Sequence, residues 1–358
     1  MPGQIVLVMQ GGGALGAFQA GVYEALHEAG IEPDWVVGTS IGAINGAIIV
    51  GNHPRNRIAN LKAFWDLVAD GGPFSAPWSA MGLGQEMHNL RALLKGIPGF
   101  FSPNPRSWLG ADARLGTTQA SYYSTADLRR TLADLVDVNE LGAGTTRLTL
   151  GAVNVTSGRM RYFDSRDQTI GIDHVMASGA LPPAFPAVMI DGEPYWDGGV
   201  YSNTPLETVM DDNPRQNSVI FATRVWQQEG RPPETIGQVL SRLKDIQYSS
   251  RAESHTARQQ QIHHLRHIVR ELGNRLPKAV RSDPEVKELL SWGCGTVMHV
   301  LTLRAPELDG EDQSKDLDFT PEGIASRWKA GLDAARRTIE AAQWNAAVDP
   351  IEGIVVHE

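Results

Sequence analysis

The sequence predicts an α/β fold, a three-layer α/β/α sandwich on a mostly parallel sheet with a helical C-terminal extension. Three observations predict it. The run Gln4-Ile5-Val6-Leu7-Val8-Met9 reads as a strand covered on both faces. After the glycines at 11–13, Leu15, Phe18, Val22, Leu26 and Ala29 recur at spacings of three and four, one face of a helix that Gly30 ends. Trp35-Val36-Val37, a tight turn and the apolar helix Ile41–Val50 then repeat the strand–turn–helix pattern.

Further along, Arg147–Val155 reads as a strand and Met160–Phe163 as its hairpin partner. His174–Leu181 reads as a helix ended by Pro182-Pro183, and Val188–Tyr195 as a hairpin turning at Asp191-Gly192. Val219–Ala222 and Thr296–Leu303 read as strands, Ile236–Leu276 and Ile324–Ala347 as helices. In the first of these helices Leu240, Leu243 and Ile246 mark one apolar stripe; Ile262, Leu265, Val269 and Leu272 mark another. Residues 71–120 are irregular and hold Phe74, Trp78, Phe100, Phe101 and Trp108. Read as exposed, these aromatics suggest a lid or wall beside a site.

Composition narrows the function. The chain has 358 residues; 42% are hydrophobic and 20% charged, enough apolar matter for a large core and too little charge for wholesale disorder. A net charge of −9 argues against a general nucleic-acid binder. The single cysteine, Cys294, excludes an internal disulfide and any multi-thiolate zinc site. No basic stretch precedes the short N-terminal apolar run, and no run approaches the length of a spanning helix. The expectation is a cytoplasmic protein, at most peripheral at a membrane.

Two motifs carry chemistry. Gly11-x-Gly13-x-x-Gly16 has the dinucleotide-binding spacing, but that reading needs an acid at the end of the second strand, and Asp34 lies at its start. The alternative is a loop whose N–H groups gather at a helix N-terminus and suit an oxyanion. Gly38-Thr39-Ser40-Ile41-Gly42 is G-x-S-x-G between a strand and a helix, the setting of a nucleophile elbow. The turn lifts the Ser40 hydroxyl clear and aims the Ile41 N–H at developing charge. The serine needs a base. His255, His263, His264 and His267 read as solvated, while His174 and His299 stay open. Trp196-Asp197-Gly198-Gly199 offers a carboxylate at a strand end, and spacing alone does not choose between Asp197 and His174.

Taken together, Gly11–Gly16, Gly38–Gly42 and Asp197-Gly198-Gly199 resemble the three signature blocks of the patatin-like phospholipase family, bacterial type. Ala177–Pro182 with Phe185-Pro186, and Asn203-x-Pro205, extend the match over about residues 4 to 210. Arg327–Gly331 resembles a tail found on some bacterial members. The resemblance implies the patatin-like version of the sandwich and a Ser40–Asp197 dyad without histidine. Gly11, Gly12, Gly13 and Ile41 would form the oxyanion hole, and Gly38, Gly42, Gly198 and Gly199 would support the turns. It implies hydrolysis of lipid acyl esters of phospholipase A or lysophospholipase type, with no metal or organic cofactor, transient contact with a membrane surface and no nucleic acid. Many members carry a basic residue where this chain has Leu15, which gives weight to neutral or storage-polyester substrates. Positions 11, 40 and 197 must meet in space. Residues 1–215 are therefore expected to form one catalytic core, with an insertion at about 71–120. Residues 216–358 are expected as an extension packed on the same domain.

Overall fold

The computed structural model describes residues 3–69, 94–308, 311 and 314–357. Phe74 and Trp78 of the expected lid lie outside them. In chain order the strands are β1 (Gln4–Met9), β2 (Trp35–Gly38), β3 (Ser102–Pro103), β4 (Tyr123–Ser124), β5 (Arg147–Asn154), β6 (Met160–Asp164), β7 (Val188–Ile190), β8 (Glu193–Asp197), β9 (Ser218–Arg224), β10 (Met298–Arg304) and β11 (Ile354–His357). β3 and β4 form a small pair of their own. The other nine make one sheet in the order β11-β10-β9-β1-β2-β5-β8-β7, with β6 also on β5. From β11 to β5 every pairing is parallel; β6 and β8 pair antiparallel with β5, and β7 antiparallel with β8.

Period-two alternation sorts the side chains into two cores. Leu7, Met9, Val36, Phe221 and Leu301 face one side. Val6, Val8, Val37, Ile220 and Val300 face the other. α1 (Ala17–Glu28), α2 (Ile41–Val50), α3 (Pro54–Val68) and the helix Pro321–Ala341 cover the first side. The short helix Leu206–Met210 and the long helix Ile236–Arg275 lie over the second. α1 and Pro321–Ala341 cross closely at glycines: a Cβ on Gly21 would strike the Trp328 carbonyl, and one on Gly331 the Phe18 carbonyl. Gly331 in the sequence tail is therefore a packing requirement.

Two expectations change. β9, β10 and β11 all follow residue 215 and build three of the sheet's nine strands, with β9 directly beside β1. A division at 215 cuts the sequence but not the fold. Phe100 and Phe101 are buried, packed edge-on against Phe185 and Tyr123, because aromatic faces this close together exclude water. They form a wall. Trp108 alone of the described aromatics in that group is exposed.

The long helix is turned against its own pattern. Among the described residues its buried side chains are polar: Asp245, Ser249, Thr256, His263 and His267. The stripe of Leu240, Leu243 and Ile246 faces away from the protein. Among the described residues no helix is long and apolar enough to cross a membrane.

Candidate active site

The register of the sheet assembles the site. Met9 of β1 lies beside Gly38 of β2, so the glycine loop and the serine turn leave the same end of adjacent parallel strands, where open α/β sheets bind ligands. β5 brings in the carboxylate. Thr149 pairs with both β2 and β6, and Ala152 with both β6 and β8. A strand has two edges, so β2 and β8 lie end to end on one of them. Gly38 is opposite Leu150 and Asp197 opposite Ala152, only about 7 Å along the strand. That shared edge carries Asp197 to Ser40 across 157 residues of sequence (197 − 40).

Ser40 occupies a strained turn at φ 57°, ψ −124°, a conformation costing about 1–3 kcal/mol for a non-glycine residue. Its N–H donates to the Ser178 carbonyl at 3.1 Å and the Ser178 hydroxyl at 3.2 Å. Ser178 is anchored in turn by donating to the Gly151 carbonyl at 2.7 Å. Gly38 and Gly42 are forced by close approach: a Cβ on Gly42 would collide with the Met9 carbonyl, and one on Gly38 with the Gly42 carbonyl. Gly198 backs onto Gly151 in the same way.

Asp197 is 1% exposed. Its Oδ1 accepts from the Gly199 N–H at 2.7 Å. Its Oδ2 is buried without a hydrogen bond among the described residues. Burial pushes the carboxyl up to about 7, opposed by the nearby Ser40 hydroxyl and the Gly199 N–H. The structure places the other candidate bases elsewhere. His174 accepts from the Gly171 N–H and packs edge-on to Phe163, within its own helix cap. His299 stacks on His357 at the far edge of the sheet. His263 and His267, expected to be solvated, are buried against the carbonyls of Met210, Thr296 and Pro350. Asp34 accepts from the Ile5 N–H, away from the glycine loop.

The glycine loop needs one amendment. The Gly11 N–H donates to the Asn203 carbonyl at 3.1 Å, so Gly11 offers no free donor. Its own carbonyl accepts from Asn203 Nδ2 at 3.0 Å and Trp226 Nε1 at 2.7 Å. Among the described residues the N–H groups of Gly12, Gly13 and Ile41 meet no acceptor. Asn203, Trp226 and Ser178 are positioning residues to which the sequence reading gave no role. Two of them sit in blocks it had singled out, Ala177–Pro182 and Asn203-x-Pro205. For Trp226 no local signal exists.

Ser40, Ile41, Asp197 and Gly11–Gly13 line an apolar pocket of about 280 Å³. Phe100, Phe101, Phe185, Trp226 and Tyr248 wall it, and Asp316, Leu317 and Phe319 close it from the far end of the chain. Two ion pairs hold that last loop to the long helix: Lys244–Asp316 at 2.7 Å and the buried Lys315–Asp245 at 2.8 Å. Leu15 is buried outside the pocket. Among the described residues no group of three or more His, Cys, Asp and Glu is placed to hold a metal ion.

A model described as patatin-like phospholipase matches residues 7–210, more than half of the chain. The chain belongs to this family. A second model, patatin phospholipase, matches residues 246–351 of the patatin-like chain. Lysophospholipase nte1 of Aspergillus terreus is 62% identical over 42 residues, 12% of this chain and 3% of the relative. Patatin-like phospholipase domain-containing protein 6 of Homo sapiens is 43% identical over 61 residues, 17% and 4%. An NTE family protein of Mycobacterium tuberculosis is 38% identical over 104 residues, 27% and 18%. The chain thus spans less than a fifth of the length of these relatives. Among solved structures, VipD from Legionella pneumophila is 15% identical with a TM-score of 0.39, covering 94% of this chain and 67% of that one.

Proposed function

We propose that this patatin-like phospholipase is a serine acyl hydrolase that cleaves carboxylic esters of lipids through a Ser40–Asp197 dyad. One observation carries the reading: a strained serine opens into an apolar pocket beside a fully buried carboxylate with one unpartnered oxygen. Asp197 Oδ2 accepts the Ser40 proton as Ser40 Oγ attacks the acyl carbon. The oxyanion of the tetrahedral intermediate takes hydrogen bonds from the unoccupied Gly12, Gly13 and Ile41 N–H groups. On collapse the leaving alcohol takes the proton from Asp197. Water, deprotonated by the same carboxylate, then attacks the acyl-enzyme; Ser40 Oγ leaves with the proton returned from Asp197, and the carboxylic acid is released. A carboxyl held near 7 loses and regains a proton with little driving force either way.

Among the described residues the charged groups of the pocket are Asp197 and the Lys244–Asp316 pair. This lining suits an acyl chain, with the headgroup left toward solvent, and makes neutral esters a second reading. The test is a fluorophosphonate probe on wild type, Ser40→Ala and Asp197→Asn. Labelling should vanish in Ser40→Ala and slow in Asp197→Asn. Labelling that persists in Ser40→Ala rejects the nucleophile; full p-nitrophenyl ester turnover in Asp197→Asn rejects the dyad.

A further inference from the structure

The helix Ile236–Arg275 poses a problem that the site alone does not answer. A surface helix normally buries its apolar stripe, and the first three turns of this one do the reverse. Ile236 is 82% exposed, Leu243 57%, and Val239, Leu240 and Ile246 about half. Beneath them Asp245 is buried, accepting from Lys315 and from the Gln227 N–H. These polar contacts to the rest of the chain fix the orientation, and it holds the apolar stripe outward.

We propose that this stripe is a docking face for a phospholipid surface, which brings the mouth of the pocket against the bilayer. Three features choose that occupant. The first is continuity with the site: Lys244 and Tyr248, on the flank of the same turns, line the pocket. Exposed Val200 and Tyr201, just past the Asp197 turn, share a cleft with Gln247 and Tyr248. The second is charge. The helix carries seven Lys and Arg against three Asp and Glu, in a chain of net charge −9. At helical spacing Arg242 falls on one side of the stripe, as a cation flanking an apolar face that enters an interface does, and Lys244, ion-paired with Asp316, on the other. Among the described residues Arg242 meets only the neutral carbonyls of Gln227 and Gln228. The third is size. Five partly exposed side chains offer roughly 500 Å² of apolar surface, in the upper part of the ~300–600 Å² range of the largest, often functional, patch on a monomer.

The proposal rests on the acyl-hydrolase reading for its purpose, but its test does not. Leu240→Ser with Leu243→Ser changes side chains outside the pocket. Co-sedimentation is measured with vesicles of phosphatidylcholine and phosphatidylglycerol, and with phosphatidylcholine alone. Wild type and Ser40→Ala should bind alike, and more tightly to the anionic vesicles. The double variant should lose about tenfold or more in partition. Its turnover of vesicle lipid should fall in step, while turnover of p-nitrophenyl butyrate stays within about twofold of wild type. Unchanged vesicle binding in the double variant overturns the proposal. So does an equal loss on the soluble ester. A wild-type dimer that the substitutions convert to monomer, with vesicle binding intact, assigns the face to a second copy and also overturns it. Vesicle binding as expected in a protein without esterase activity rejects the acyl-hydrolase reading and leaves the docking face standing.

Discussion

Asp197→Asn should inactivate the protein and stabilise it, with the stabilisation growing as pH rises. The carboxyl titrates near 7 in the fold against a model value of 3.8, because burial disfavours its charge. A folded-state value above the unfolded one means the carboxyl's contribution is whole below about pH 4 and is lost as pH climbs through about 7. The gap of about 3 pH units corresponds to at most ~4 kcal/mol above pH 8. Asparagine cannot ionise and keeps an oxygen for the Gly199 N–H, but it sets an amide N–H₂ where Oδ2 had no partner. Subtracting about 1–2 kcal/mol for that group leaves a net gain of about 2–3 kcal/mol. In a chain of this length that is a rise of roughly 3–4 °C in Tm. Calorimetry on both proteins from pH 4.5 to 8.5 measures it. A variant no more stable than wild type at pH 8.5, or one with the same gain at pH 4.5, would show that the buried carboxylate is not the source of strain. In the wild type the same titration makes kcat/KM fall about tenfold per pH unit below about 7.

The positioning role of Asn203 predicts that Asn203→Ala, which removes the donor to the Gly11 carbonyl, lowers kcat by about tenfold or more with a smaller change in KM; unchanged kcat would free the loop from this residue. The two ion pairs on the 314–319 loop should separate by burial. Asp245→Ala leaves Lys315 buried and unpaired and should cost about 3 kcal/mol, while Asp316→Ala, at a part-exposed pair, should cost about 1 kcal/mol or less in urea titrations. Phe101→Ala should reduce turnover of a soluble short-chain ester and of vesicle lipid alike, since Phe101 is pocket wall; loss confined to vesicles would restore the lid.

Much of this was legible in the sequence, for identifiable reasons. β1, β2, α2 and the turns between them are local: apolar runs, glycines and helical spacing lie within fifty residues and answer to short-range rules. The strand–turn–helix setting of Ser40 was readable because the glycines and apolar runs around it are contiguous in sequence. Asp197 was readable only through likeness to a family, since its approach depends on β2 and β8 sharing one edge of β5, and register leaves no mark on composition. The Gly11 N–H looked free because its acceptor is 192 residues away. The long helix was found almost to the residue, but not its rotation. An apolar stripe identifies a helix; which way it turns was decided by Asp245 and its partner Lys315, seventy positions later. The aromatics at 100 and 101 read as exposed because their partners, Phe185 and Phe319, are equally remote.

The pocket's last wall is Asp316, Leu317 and Phe319, and β9 to β11 flank the strand that carries the glycine loop. A chain emerging from the ribosome presents Ser40 early but lacks its carboxylate until residue 197. It cannot enclose an acyl chain until residue 319 is free to fold back. On the proposed acyl-hydrolase reading this order is protective. Every nascent form that stops short of residue 319 has Ser40 without a finished cavity, so esterolytic competence would arrive only once that last wall has been made.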